Sequence, residues 1–397
     1  MKTKSHFLSL ILILLLSNIS IAQDYYFKDK APFDKNIPTP EEYLGYKVGE
    51  HHTRHDLIVG YLTKLAEVSD RASIEIYGKT HEKRKLVMFA ISSSKNLNNL
   101  EEIKFQHLKF VDTESNVKNY DEVPLIIQLG YNVHGNEPSG AEAALLTAYT
   151  LVASKHKEVL DYLEKAVIFI DPTINPDGRD RHTQWVNQYQ AKSLVSDNID
   201  AEHTEAWPRG RTNHYWFDLN RDWLLAVHPE SQGKLKWMHS WYPNVVTDFH
   251  EMGTNSHHFF EPMKPIGSWD PIMPKENYED LNNLFAKYFS EALDQVGSLY
   301  YTKESFDGTY PGYGSSYPDL QGGLALLFEQ ASSRGHVQDT DYGKITFPFT
   351  IKNQYISTFA TIKAAVENNA YLREYQQKFF KSAVKKKVKS DLAGYEF

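Results

Sequence analysis

The chain has 397 residues, 41% hydrophobic and 24% charged, with a net charge of −8 and no cysteine. This composition suits a globular protein with a sizeable core and excludes global disorder. It also excludes disulfides, thiolate chemistry and an acylated lipobox cysteine, and it offers no basic surface for a nucleic-acid partner.

Residues 1–22 carry Lys2 and Lys4, an apolar stretch from about Phe7 to Leu16, then Ser20-Ile21-Ala22. This is the pattern of a signal peptide cut after Ala22, and its apolar run is short for a membrane span. Its loss takes the net charge to −10, because two lysines go with it. A secreted or periplasmic protein, free of the membrane after cleavage, is expected. Residues 23–49 are polar and proline-marked and read as an extended lead-in.

Apolar residues at 58, 61, 62, 65 and 68 have helical spacing, and the runs at 73–78 and 85–93 read as a strand hairpin. "VPLIIQLG" (123–130) is a nearly continuous apolar run, the mark of a buried strand. The loop "GYNVHGNEPSG" (130–140) follows it. A helix face at 141, 144, 145, 148, 151 and 152 comes next, with Ser139 placed to cap it. "KAVIFIDPTINPDG", "NVVTDFHEMG" (244–253) and "LALLFEQ" (324–330) repeat the strand-then-polar arrangement. Helices are expected near 229–242, 276–297 and 353–382, and a proline-rich surface loop at 261–275. The basic run at 385–389 reads as a solvated helix end. Strands alternating with helices predict a single α/β domain, with a mixed, largely parallel central sheet, over about 50–380. Residues 381–397 then form a basic tail, or the start of a further domain. In such sheets ligands bind beyond the carboxyl ends of the strands. The polar clusters after 130, 171, 249 and 328 therefore belong together.

Those clusters carry metal and acid–base chemistry. His134 and Glu137 lie in the first loop, and His250 ends the strand "NVVTDFH". Two imidazoles and one carboxylate form a catalytic zinc set that keeps one coordination position open. Asp218, in "FDLNRDW", suits the far nitrogen of a zinc-binding histidine. Beside it, Asn220 and Arg221 offer an amide and a planar fork for a carboxylate. Arg209 or Arg211 can stabilise an oxyanion. Glu329 ends an apolar strand, where partial desolvation raises a carboxyl pKa toward neutrality.

His134-x-x-Glu137, "NPDG" at 175–178, "DLNR" at 218–221, His250 and Glu329, in that order, resemble the zinc carboxypeptidases of the A/B type. The likeness is to a bacterial secreted branch and runs from about 50 to 380. It implies one zinc ion per chain on His134, Glu137 and His250, with Asp218 orienting His134. It implies Asn220 and Arg221 as the grip on a terminal carboxylate and Glu329 as the proton carrier. It favours Arg211 over Arg209 as the oxyanion donor. It also implies a mobile tyrosine among Tyr310, Tyr313 and Tyr317, of which Tyr317 is preferred. The expected substrates are peptides with a free C-terminal carboxylate. The sequence departs from the digestive branch at Glu251, where a small residue is usual. His257 and His258 are additional, and both read as rim residues. Other readings are an amidase of peptidoglycan stem peptides (D-residue or γ-glutamyl ends), a deacylase of N-acyl amino acids, and a catalytically inactive peptide-binding module. The leader argues against the deacylase and the complete residue set against the inactive module.

Overall fold

In the computed structural model the apolar runs become strands of one eight-stranded sheet. Residues 25–263, 273–304, 306 and 308–389 are described. The predicted leader, the end of the basic tail (390–397) and most of the proline-rich loop (264–272) lie outside them. The strands are β1 (Ala72–Lys79), β2 (Lys85–Ile91), β3 (Leu125–Tyr131), β4 (Ala166–Asp171), β5 (Val245–Met252), β6 (His258–Phe260), β7 (Tyr300–Tyr301) and β8 (Leu324–Ala331). Their order across the sheet is β1-β2-β4-β3-β5-β8-β6-β7. The central four, β4-β3-β5-β8, are mutually parallel, while β1, β2 and β6 join antiparallel. A small hairpin, β9 (Val337–Thr340) and β10 (Gly343–Thr346), stands apart.

β3 and β4 are buried at every position. That explains their unbroken apolar sequence: helices cover both faces, so no residue alternates toward water. One face is covered by α1 (His55–Val68), α2 (Ser139–Ala153), α6 (Asn282–Val296) and α7 (Phe347–Glu367). All fifteen residues of α2 are buried. Truncating Leu145 at its centre to alanine should cost roughly 2–5 kcal/mol. On the other face, α5 (Pro229–Trp241) sets Trp237 and Trp241 against Phe169, with ring centroids 4.8 Å away in each case.

Three sequence expectations change. The described part of the expected lead-in, 25–49, packs onto the core, with Phe27, Ile37 and Val48 buried. Phe27 finds an aromatic nest of Phe33, Tyr149 and Tyr355, which a polar, proline-marked stretch does not announce. The expected helix at 353–382 is two, α7 and α8 (Asn369–Lys389), parted at Asn368. Ser139 does not cap α2, whose N-cap is Pro138. Its hydroxyl and N–H instead donate to Glu251.

The topology creates the site. From β3 the chain crosses through α2 and α3 (Lys157–Lys165) to β4 on one side, and β5 then pairs with the other side of β3. Beyond the carboxyl end of β3 the two loops diverge and leave a crevice.

Candidate metal and active site

The loop after β3 is pinned by Asn132. This residue has a φ of 59°, a left-handed conformation that asparagine tolerates better than most residues. Its Nδ2 donates to the carbonyls of His134 and Glu137, both at 2.9 Å. Gly135 is required by close approach: a Cβ there would lie 2.1 Å from the backbone of Gly178 and Arg179. Gly178, in turn, opens α4 (Pro176–Tyr189) and presses on the carbonyl of Gly210. Three backbones, carrying the ligand loop, the "NPDG" turn and the arginine loop, thus lie in direct contact. Below them the buried Arg179 donates to Glu142 (2.6 Å) and to the Pro138 carbonyl (3.0 Å).

His134, Glu137 and His250 converge, with their ligating atoms within 4.8 Å of one another. The two Nδ1 atoms are 3.1 Å apart, and Glu137 lies 2.8 Å from one and 2.9 Å from the other. Two nitrogens on one tetrahedral zinc are separated by about 3.3 Å for bonds of about 2.0–2.1 Å. The opposite ring nitrogens are also engaged. His134 Nε2 lies 2.9 Å from Asp218 Oδ1, and His250 Nε2 lies 2.8 Å from Asp248 Oδ1. A carboxylate at Nε2 places the proton there and leaves the Nδ1 lone pair facing inward. The residues therefore fit zinc, with both histidines binding through Nδ1.

The electrostatics agree. Burial disfavours charge on both imidazoles, yet Glu137 and Asp218 raise the pKa of His134, and Asp248 and Glu137 raise that of His250. Burial likewise opposes ionisation of Glu137, and the two imidazoles overcome it. A cation held by these three side chains therefore competes with protons for them.

The remaining residues line a cavity of about 310 Å³ over this cluster. Glu329 on β8 pairs in register with His250. Burial pushes its pKa up to about 8, with His250 opposing and Glu137 adding to the rise. Arg211 reaches in from a loop. Its Nη2 donates to Asp218 Oδ2 (2.8 Å), and its Nη1 lies 3.4 Å from Glu137 Oε1. Arg209 is exposed and does not line the cavity. Arg221 stands at the wall, with its guanidinium 4.5 Å from the centre of the Tyr313 ring. Met252, Phe306 and Leu327 supply apolar lining.

Several residues sit elsewhere than the sequence suggested. The Tyr317 hydroxyl is 3.0 Å from His239 Nε2 and its ring packs near Trp223, away from the cavity. Asn220 Oδ1 holds the Gly314 N–H at 2.7 Å, and the turn from Tyr313 to Tyr317 (2.9 Å, N–H to carbonyl) leaves Tyr313 as the cavity's tyrosine. Tyr310 instead donates its hydroxyl to the Arg221 carbonyl (3.1 Å). Asn220 also lines the cavity, and its Nδ2 donates to Asp248 Oδ2 (3.2 Å) and lies 3.0 Å from His250 Nε2. It braces the far side of His250. His258 is not at the rim. It is buried on β6, bonded to Gln330 and Ser357. His257 packs against Tyr342, with the two rings tilted by 52°.

Two buried acids were missed as participants. Asp248 lies two residues before His250 and so on the same face of the strand, a period-2 relation visible in "TDFH". Glu251 takes bonds from Ser139 and Ser332, and its N–H donates to Glu137 Oε2 (3.0 Å). Burial raises its carboxyl pKa to about 7.

The sequence family described as "Zinc carboxypeptidase" matches residues 58–367. Carboxypeptidase 2 of Trichophyton rubrum is 28% identical over 148 residues, 37% of this chain and 22% of that protein. Carboxypeptidase E of Caenorhabditis elegans is 28% identical over 205 residues, 49% of this chain and 38% of that protein. The chain therefore spans well under half the length of these curated relatives. The fold is shared with a metallo-carboxypeptidase from Burkholderia cenocepacia (TM-score 0.53, 13% identity, 78% of this chain and 69% of that one). It is shared too with the carboxypeptidase A from Helicoverpa armigera (TM-score 0.53, 14% identity, 90% and 81%). With the match running over most of its length, this chain belongs to the zinc carboxypeptidase family.

Proposed function

We propose that the chain is an exported zinc metallocarboxypeptidase that removes the last residue of peptides bearing a free C-terminal carboxylate. The observation that carries this reading is the convergence of His134, Glu137 and His250, each imidazole backed by a carboxylate, beside Glu329 and two arginines. His134 and His250 would hold one zinc ion through Nδ1, and Glu137 through its carboxylate. When bound, zinc supplies Lewis acidity toward the scissile carbonyl and lowers the pKa of the attacking water. Burial holds the Glu329 carboxyl at a pKa of about 8, close enough to neutrality for it to exchange a proton. Glu329 then accepts the water's proton on its carboxylate and returns it to the leaving amine nitrogen. Arg211, aligned by Asp218, donates to the developing oxyanion.

Arg221 is the group for the terminal carboxylate, and Tyr313 across its guanidinium is the candidate cover. Holding that carboxylate keeps the last peptide bond in register with the attacking water. Export rests on the leader-like residues 1–22. N-terminal sequencing of protein recovered from the periplasm or medium should begin at Gln23.

The decisive assay is mass spectrometry of a pool of free-acid, amidated and D-terminal peptides incubated with the protein. Single residues should leave the free-acid ends only, and a chelator should stop the loss until zinc is restored. Equal attack on amidated peptides would refute the carboxylate grip. Attack on D-terminal stem peptides alone would move the activity to the cell wall.

A further inference from the structure

The structure holds a second cluster of metal-ligand type, outside the catalytic crevice. His81 lies in the turn between β1 and β2, and His228 and Glu230 lie where α5 begins. Their ligating atoms also fall within 4.8 Å of one another. His81 Nε2 is 3.0 Å from His228 Nδ1 and 4.0 Å from Glu230 Oε2. A tetrahedral zinc site requires separations of about 3.3 Å, and these two bracket that value.

Glu230 makes the cluster unusual. It is 1% exposed, and neither carboxylate oxygen has a hydrogen-bond partner of normal geometry. The N–H groups of Glu230 and His81 face it, but burial prevails. A buried carboxylate without partners is costly, and native structures rarely keep one. A hydrogen bond between the two imidazoles engages one nitrogen of each and leaves Glu230 with only the facing N–H groups and a His81 nitrogen 4.0 Å away. A cation would satisfy all three. Both histidines are only half-buried, which leaves an entry path and room for a water as fourth ligand. No step proposed for the peptidase uses any of these residues.

The geometry points to a second zinc site formed by His81 Nε2, His228 Nδ1 and Glu230, structural in role. It clamps the β1–β2 turn to the segment following Arg221. That segment is already tied at its other end: Asp222 accepts the N–H groups of Val227 (2.9 Å) and His228 (3.0 Å). Zinc here would fix both ends of residues 222–228, directly after the loop of Asp218, Asn220 and Arg221. The inference does not depend on the peptidase reading.

The test is zinc content by inductively coupled plasma mass spectrometry on the full chain, with the metal-stabilised melting temperature as a second readout. Wild type should hold two zinc ions per chain, and H134A/H250A should hold one. In that background zinc should still raise the melting temperature, and E230Q should weaken the remaining site by roughly tenfold or more. H81A/H228A, if folded, should hold one zinc and keep the catalytic site loaded. A folded H134A/H250A that binds no zinc would overturn the inference, as would an E230Q affinity equal to its parent's. Neither result depends on H81A/H228A folding.

Discussion

Asp248 offers a sharp test of how the metal ligands are held. Its carboxylate lies 2.8 Å from His250 Nε2 and is 3% exposed, so water cannot replace it. D248N keeps an acceptor oxygen but removes the charge, and D248A removes both. Loss of such a partner to a metal-binding histidine costs about 10–100-fold in metal affinity. That range is about 1.4–2.7 kcal/mol, and D248N should fall near its lower end and D248A near its upper end. A comparison sharpens the test. Asp218 plays the corresponding part for His134 but is 20% exposed, so water can partly substitute, and D218N should cost less than D248N. The charge also matters on its far side. The fully buried Lys234 has its pKa lowered to about 8 by burial, with Asp171 and Asp248 among the acids that oppose the shift. Removing Asp248 should lower it further. Zinc affinity is best measured by competition with a chromophoric chelator in an H81A/H228A background, so that one site titrates. A folded D248A with wild-type zinc affinity would refute the idea that the carboxylate secures the ligand.

E329Q should keep its zinc and lose about 10²–10⁴-fold in kcat; activity within a few-fold of wild type would remove Glu329 as the proton carrier. R221A should lower kcat/KM for free-acid peptides by about 2 kcal/mol, roughly 30-fold, since the guanidinium is partly exposed and solvated; steady-state kinetics would show it, and an unchanged value would rule Arg221 out. Because the pKa values of His134 and His250 are raised, zinc competes with protons for them. Affinity should therefore climb with pH and keep climbing above the ordinary histidine range, which a chelator competition series would follow. Asp319 is buried and its pKa is raised to about 7 from 3.8, so the folded state binds the proton more tightly and stability drains as pH rises through that window. D319N keeps an acceptor for Asn277 and Ala325, and should raise the melting temperature more at pH 8 than at pH 5; equal shifts would contradict this.

The sheet was legible because its central strands are buried on both faces, and double burial leaves an unbroken apolar run. The ligands were legible because they sit where such runs end. What the sequence hid is relational. The amide of Asn220 reads as a ligand grip, yet only the fold brings Asp248 and the Gly314 N–H to it. The sequence favours Tyr317, and it is the fold, through the tether of Gly314 to Asn220, that sets Tyr313 in the cavity instead. The β1–β2 turn and the start of α5 are well over a hundred residues apart, so no local spacing could announce His81 with His228.

The backbone contact among Gly135, Gly178 and Gly210 bears on how this chain can change. A Cβ at Gly178 would meet the Gly210 carbonyl at 2.4 Å, and one at Gly210 would meet His182 Cβ at 2.6 Å. These three loops behave as one laminate, and a methyl group in any layer would wedge His134 away from Arg211. Tolerated variation should gather on the apolar wall of Met252, Phe306 and Leu327. Drift in substrate choice, natural or selected in the laboratory, has that wall as its open direction, while the laminated side keeps the chemistry in register.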